Sequence, residues 1–316
     1  MLDVEAYLQE AISAAGPEMR ELLQYCLPGG KRLRPLLVIL SSNLGYCRPQ
    51  QVLPVAAAIE LIHLASLTHD DILDGAATRR NRPALHRLFG PLPAVLAGDY
   101  LFATAFHILA RTKKGIMQAV TQAIRLMCEG EIEQQQMPAG DEETYLRRVQ
   151  KKTAALIATA CQCGGILANL TLNQIRSLEQ YGLYLGTAFQ MVDDILDLSG
   201  DPKVTGKPCL QDLQKGIVTL PVLYFLNTSP QKSFWHEMLA RRSLGLEEAR
   251  ELARQVRASG SLEASVRTAQ QYANQALLAL EALPPCPPRE KLAELAQKVL
   301  APAAEILTYK LSQPIP

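Results

Sequence analysis

Apolar residues recur every three or four positions along almost the whole chain, and no convincing run of strict alternation interrupts them. That period predicts helices. Valine and isoleucine sit mainly inside Ala- and Leu-rich segments, which favours helix over strand. Breakers divide the pattern into roughly a dozen helices. They are Pro28-Gly29-Gly30, Gly45 to Pro49, Gly75, Gly90-Pro91, Pro138-Ala139-Gly140, Gly164-Gly165, Gly200 to Pro208 and Pro284 to Pro288. Segments 52–74 and 175–198 are apolar on more than one side, as helices in the middle of a bundle are. No linker or shift in composition separates two halves, so residues 1–316 read as one all-α, single-domain helical bundle.

Composition narrows the function without naming it. The 316 residues are 48% hydrophobic and 20% charged, the profile of a soluble globular protein. A net charge of +1 offers no global field for nucleic acid or an anionic membrane, so recognition of anions must come from local clusters. Seven cysteines stand at 26, 47, 128, 161, 163, 209 and 286, with no CxxC pair, and read as reduced thiols of a cytosolic protein. The N-terminus MLDVEAYLQEAISAAG is amphipathic and acidic rather than a leader, and no uninterrupted apolar run reaches 18 residues. A cytoplasmic location is expected.

One motif stands out. Asp70-Asp71-Ile72-Leu73-Asp74 recurs as Asp193-Asp194-Ile195-Leu196-Asp197, each copy near the end of a long apolar segment. Asp70 and Asp74, and likewise Asp193 and Asp197, lie one helical turn apart on one face. A helix C-terminus already carries negative partial charge, and like charges at i,i+4 repel. Three carboxylates placed there are unfavourable unless cations offset them. Magnesium suits the demand, because it takes oxygen ligands and is typically held by one or two carboxylates together with substrate phosphates. Two solvated helix ends are the bland alternative, which an identical pentapeptide at two matching places disfavours.

Basic clusters accompany the acids. Gly29-Gly30-Lys31-Arg32-Leu33-Arg34-Pro35 opens a helix after a Pro-Gly-Gly turn, where backbone N–H groups and the positive dipole end favour anions. Arg79-Arg80-Asn81-Arg82 follows the first acidic copy in a short loop. Lys203 and Lys207 follow the second, and Lys151-Lys152-Thr153 starts another helix. Any one cluster alone reads as solvated surface; their repeated placement beside the acids points to a diphosphate.

With these features the sequence resembles the all-trans isoprenyl (polyprenyl) diphosphate synthases over nearly its whole length. GGKRLRP (29–35), ELIHLASLTHDDILD (60–74), TRRNRPA (78–84), AGDYLFATAF (97–106) and CEGEIEQ (128–134) carry the likeness, with KKTAALIATA (151–160), GTAFQMVDDILDLSGDPKVTGKP (186–208) and DLQKGIVTLPVLYFL (212–226). The resemblance implies an isoprenoid-synthase bundle and two or three Mg²⁺ ions held by Asp70, Asp74 and Asp193, with Asp71, Asp194 and Asp197 supporting. It implies that Arg79, Lys152, Thr153, Gln190 and Lys207 hold the allylic diphosphate, and Lys31, Arg34, His63 and Arg80 the isopentenyl diphosphate. His63 alone would read as a satisfied core histidine. The allylic substrate would be farnesyl or geranylgeranyl diphosphate.

The resemblance also places the growing tail along the first acidic helix. A bulky aromatic five residues before the motif stops growth early in the family; here Ala65 and Ser66 are small, so a product of hexaprenyl length or longer is expected. Phe102 and Phe106 are candidates for the tunnel floor. The wording of 212–226 is similar to heptaprenyl-type synthases that serve menaquinone side chains, with a farnesyl or geranylgeranyl synthase and the catalytic subunit of a two-component synthase as alternatives. Homodimerisation, a small partner subunit and transient membrane contact on release of a lipid product are the partners implied. Two departures stand out: Ile217 occupies a place where the family often has lysine, with Lys215 two residues earlier, and the C-terminal segment lacks the usual arginine-containing ending. A terpene cyclase would not need an isopentenyl site, and a non-catalytic regulatory subunit would lose acidic-motif residues, whereas both motifs are intact.

Overall fold

The computed structural model describes residues 3–136, 140–199 and 209–303, the side chain of Ser199 excepted. They form an all-α structure, as the spacing predicts. The order is α1 (Val4–Ser13), α2 (Pro17–Cys26), α3 (Leu33–Ser42), α4 (Pro49–Leu73), a two-strand hairpin (Thr78–Arg79 with Arg82–Pro83), α5 (Leu85–Phe89), α6 (Pro91–Leu109) and α7 (Lys114–Gln136). There follow α8 (Glu142–Val149), a π-helical turn (Gln150–Ala154), α9 (Ala155–Leu167) and α10 (Leu172–Ser199). The remainder is α11 (Gln211–Gln214), α12 (Leu220–Thr228), α13 (Lys232–Ala240), α14 (Leu246–Ala258), α15 (Ser261–Ala279), a 3₁₀ turn (Leu280–Ala282) and α16 (Pro287–Lys298).

The chain divides into two compact units. One comprises Met1–Gln122, Thr159–Glu179 and Leu283–Arg289; the other comprises Ala123–Ala158, Gln180–Ala282 and Glu290–Pro316. In the first, α4 is the core helix. Val55 to Ile59, Leu61, Ile62 and Ala65 are all buried, which is why its sequence shows no polar face. The second is built on an apolar cluster from α10, α12, α14 and α15, including Met191, Ile195, Val222, Leu252 and Ala269.

Three local features differ from the sequence reading. Gly164-Gly165 does not break a helix; both lie inside α9. A Cβ on Gly164 would stand 2.5 Å from Ser41 Cβ and 2.6 Å from the Val38 carbonyl, so the glycine exists to let α9 press on α3. Residues 79–82 are not a plain loop but a hairpin, with Arg80 (φ 53) and Asn81 (φ 59) in the left-handed region that a two-residue turn requires. Finally, α4 and α6 are each long and apolar enough to cross a membrane by length and composition. Most of the α4 window is packed inside the protein, as in a core helix, whereas only a third of the α6 window is.

Candidate active site

The first acidic motif forms the end of α4. Gly75, at φ +59, stops the helix, and the Ala76 N–H reaches back to the Asp71 carbonyl at 2.9 Å, a Schellman closure. Asp70 and Asp74 therefore sit one turn apart at the negative end of the helix dipole. Asp71 is buried, and its Oδ1 accepts from Arg79 Nε at 2.9 Å and Nη2 at 2.5 Å. Burial works against the Arg79 charge, but the Asp71 hydrogen bonds outweigh it and raise the guanidinium pKa. Asp71 thus holds Arg79 in place.

The hairpin then delivers Arg80. Tyr25 of α2 anchors the hairpin, its hydroxyl donating to the Pro83 carbonyl at 2.7 Å while the Arg82 guanidinium lies 4.0 Å over its ring. Arg80 Nη1 donates to the carbonyls of Pro28 and Gly29 at 2.9 and 2.7 Å. This contact explains the two glycines: both have positive φ, and a Cβ on Gly30 would stand 2.7 Å from Arg80 Nη2.

Behind this loop lies a cluster of cationic side chains around His63. Lys31 is exposed, whereas Arg34 has its Nε out of solvent without an acceptor. Burial lowers the Arg34 pKa to about 10, with Glu60 opposing. His63, half-buried, is held well below its ordinary pKa by burial and then by Arg34, Arg80, Arg79 and Arg32. At neutral pH it is a neutral imidazole. The structure brings Arg34, His63 and Arg80 together as the sequence reading expects, and adds Glu60 and Arg32, which that reading passed over. Glu60 was legible as the one acid of α4 ahead of the Asp70-Asp71 pair, set in an apolar run three before His63.

Toward the hydrophobic interior of the same unit, Ala65 has no exposure, and Ser66 Oγ donates to the His63 carbonyl at 2.9 Å. Phe102 and Phe106 of α6 stack at 6.3 Å between centroids. The His69 ring lies 5.9 Å from Phe102 and in reach of the Val95 carbonyl at 3.1 Å. His69 was not anticipated. Gly98 makes room for it, since a Cβ there would lie 2.2 Å from His69 Nε2.

The second unit holds the other copy. Asp193 is exposed, while Asp194 is buried and both its oxygens are engaged. Tyr145 Oη donates to Oδ2 at 2.6 Å and Gln190 Nε2 to Oδ1 at 2.8 Å. Thr153 Oγ1 donates to Gln190 Oε1 at 2.8 Å, so Thr153 and Gln190 meet as expected. Lys152 pairs with Glu131 of α7 at 2.5 Å, and Lys151 with Glu133 and Glu129 at 2.6 and 3.0 Å. Lys203 and Lys207 fall outside the described residues. Asp197 accepts from the amides of Gln211 and Asp212, each at 3.3 Å, which fixes the start of α11. Tyr145 and Arg148 were missed, because nothing in the local sequence marks them; Asp212 opens the DLQKG stretch but was given no role. Lys215, two residues before Ile217, lies near enough for its charge to oppose the rise in pKa that burial imposes on Asp197 and Asp212.

These carboxylates strain against one another. Burial, together with the neighbouring Asp193 charge, pushes Asp194 up to about 7. Burial raises Asp197, and raises Asp212 well above the usual carboxylate range with Asp197, Asp194 and Asp193 adding to it. A cation would relieve all of them.

The Polyprenyl synthetase family model matches residues 16–256. The chain belongs to that family. This polyprenyl synthetase family member is 35% identical over 306 residues to an octaprenyl diphosphate synthase of Escherichia coli (strain K12), covering 94% of each chain. It is 37% identical over 302 residues to heptaprenyl diphosphate synthase component 2 of Geobacillus stearothermophilus, covering 93% of this chain and 92% of that one. Its fold superposes on the polyprenyl synthase from Caulobacter crescentus CB15, solved in complex with calcium and isoprenyl diphosphate. The TM-score is 0.89 at 33% identity, over 94% of this chain and 93% of that one. The protein is a prenyltransferase.

The residues present fit a divalent cation of the magnesium type. Among the described residues no three His, Cys, Asp or Glu side chains make a protein-only metal cage. Magnesium does not need one, because it keeps waters and takes the rest of its ligands from phosphate. What it needs is one or two carboxylate oxygens where negative charge is gathered, and each motif sets carboxylates one turn apart at a helix end.

Proposed function

We propose that the protein is a magnesium-dependent trans-polyprenyl diphosphate synthase. It would condense isopentenyl diphosphate head-to-tail with an allylic diphosphate, farnesyl or geranylgeranyl, to a product of hexaprenyl length or longer. The observation that carries the reading is the cluster of Arg34, Arg80 and Arg79 around His63, with Arg79 held by Asp71 beside Asp70 and Asp74. A diphosphate binder that ionises one substrate needs the acids; a second substrate needs the cluster.

In this reading Asp70, Asp74 and Asp193 bind two or three magnesium ions, supported by Asp71, Asp194 and Asp197. When bound, the metal supplies Lewis-acid neutralisation of the departing diphosphate. Arg79, fixed by Asp71, and Lys152, Thr153 and Gln190 hold that group and stabilise the charge it gathers as the allylic C–O bond breaks. Lys207 belongs to the same set. Lys31, Arg34, His63 and Arg80 hold isopentenyl diphosphate so that its double bond meets the allylic cation, and orientation replaces a bimolecular encounter. The proton then leaves to the released diphosphate. Ala65 and Ser66 leave the tail room to grow, and Phe102 and Phe106 close its path.

A homodimer is proposed as the working form. The exposed Leu92, Val95 and Leu96 on α6 support it. The relative's name as a component favours a second reading, the catalytic subunit of a two-component heptaprenyl synthase for a menaquinone side chain. We place the enzyme in the cytoplasm, with transient membrane contact as product leaves. Incubation with magnesium, labelled isopentenyl diphosphate and farnesyl diphosphate, followed by chain-length analysis, tests the proposal. Incorporation into long prenyl chains that stops on chelation is expected; no incorporation, alone or with candidate partner subunits, would overturn it.

A further inference from the structure

Arg32 lies between two proposed diphosphate ligands, Lys31 and Arg34, yet most of its donors are taken up by the protein. Its Nε and Nη2 grip Glu5 of α1 at 2.5 and 3.0 Å. Nη2 also donates to the Leu27 carbonyl at 2.5 Å, and Nη1 donates to Glu60 Oε1 at 2.8 Å. Four of its five N–H donors are thus spent. Its backbone is also held at φ 47, ψ 37, a left-handed conformation that a non-glycine residue keeps only where its surroundings fix it. That left-handed residue is the N-cap of α3, so it sets the direction in which the chain leaves Lys31 and enters Leu33 and Arg34.

Glu60 is the other half of the device. It is only 2% exposed, and it sits on α4 one turn before His63. Arg32, Arg34 and Arg80 all feel its charge. A buried carboxylate inside an anion site weakens the field that attracts the anion, so electrostatic attraction cannot be what it is there for. Bracing can. A guanidinium fork shared by Glu5, Glu60 and the Leu27 carbonyl ties α1, the end of α2 just before the Pro-Gly-Gly loop, and α4 to one point.

We propose that Arg32 and Glu60 are positioning residues for the isopentenyl diphosphate subsite, holding the left-handed turn that sets Lys31 and Arg34 for the diphosphate. This rests on the synthase reading above. Neither residue touches the substrate; both act through Arg34 and the loop, and Glu5 is their outer support.

The test compares wild type with Arg32→Lys, Glu60→Gln and Glu5→Gln. Steady-state kinetics for each substrate are joined by calorimetric binding of isopentenyl diphosphate to the magnesium-loaded protein and by melting temperature. Arg32→Lys keeps the charge and loses the fork; it should raise KM and Kd for isopentenyl diphosphate roughly tenfold or more. The KM for the allylic substrate and kcat should stay within about threefold. Glu60→Gln should act in the same direction, and Glu5→Gln, at an exposed support, by about twofold to threefold. If Glu60 only screens the cluster, Glu60→Gln tightens isopentenyl diphosphate instead, and the proposal fails. It fails equally if the variants match wild type, or if both KM values, kcat and melting temperature move together. Should Glu60→Gln not fold, Arg32→Lys and Glu5→Gln decide. Wild type that neither turns over nor binds isopentenyl diphosphate would instead count against the synthase reading.

Discussion

Replacing Gly30 by alanine tests the proposed isopentenyl diphosphate site through a single methyl group. Gly30 stands at φ +95, where an L side chain is strained, a cost of about 1–3 kcal/mol. The new Cβ would lie 2.7 Å from Arg80 Nη2 and 3.0 Å from Cζ, against an ordinary contact of about 3.4 Å or more. The guanidinium is the far end of a flexible side chain, so it yields, by about 0.7 Å. That movement disturbs its bonds to Pro28 and Gly29, at 2.9 and 2.7 Å, and moves the charge away from where a diphosphate would use it. Charge-assisted hydrogen bonds contribute about 1.5–3 kcal/mol each, so losing the equivalent of one raises KM for isopentenyl diphosphate by about tenfold or more. Denaturant unfolding and steady-state kinetics with each substrate varied would read the two effects separately. A double-mutant cycle with Arg80→Ala then isolates the mechanism. With the arginine gone, Gly30→Ala should keep its stability cost and add nothing further to KM. A KM penalty that persists undiminished without Arg80 would refute the reasoning, as would unchanged KM in the single variant.

Three further outcomes are expected. Ala65→Tyr should shorten the product to farnesyl or geranylgeranyl length by chromatography of the chains. Because Ala65 is fully buried, it should also cost about 1–3 kcal/mol in stability; unchanged length would sink the tunnel assignment. Asp71→Asn keeps the shape but releases Arg79, and should lower kcat/KM by about tenfold to a hundredfold in steady-state assays, with the helix content by circular dichroism unchanged. His63 has its pKa lowered in the folded state, so the unfolded chain binds the proton first as pH falls. Its stabilising contribution is whole above about pH 6.5 and lost below it, at up to about 1.4 kcal/mol per pH unit. Denaturation at pH 5 to 7 should show a shallower acid loss in His63→Gln than in wild type.

The sequence made the helical architecture legible because most elements bury a stripe of regular period. It made the acidic copies legible because their repulsion needs explaining whatever the fold. Gly164-Gly165 misled for a physical reason: glycine marks both a chain reversal and a close helix crossing, and only the neighbour, Ser41, distinguishes them. The supporting residues were harder. Tyr145 and Asp212 reach their partners across long sequence separations, and a tyrosine on an amphipathic helix announces nothing. Arg32 looked like one more cation in a basic run; only its left-handed backbone and its two carboxylates separate it from Lys31 and Arg34.

The π-helical turn at Gln150–Ala154 has a consequence in phase. Tyr145 and Thr153 are eight residues apart, which in an unbroken α-helix leaves them about 80° out of line. Yet both meet α10, Tyr145 at Asp194 and Thr153 at Gln190, one turn from each other on a single face. A wide turn absorbs one residue, so the pair behaves as if seven apart and falls within about 20° of alignment. Deleting any one residue from 150 to 153 would restore a regular helix and turn one contact away from α10. The spacing itself, rather than the identity of any side chain there, is then the quantity to look for in relatives, and a loss of register would part these contacts with every residue of the proposed site still present.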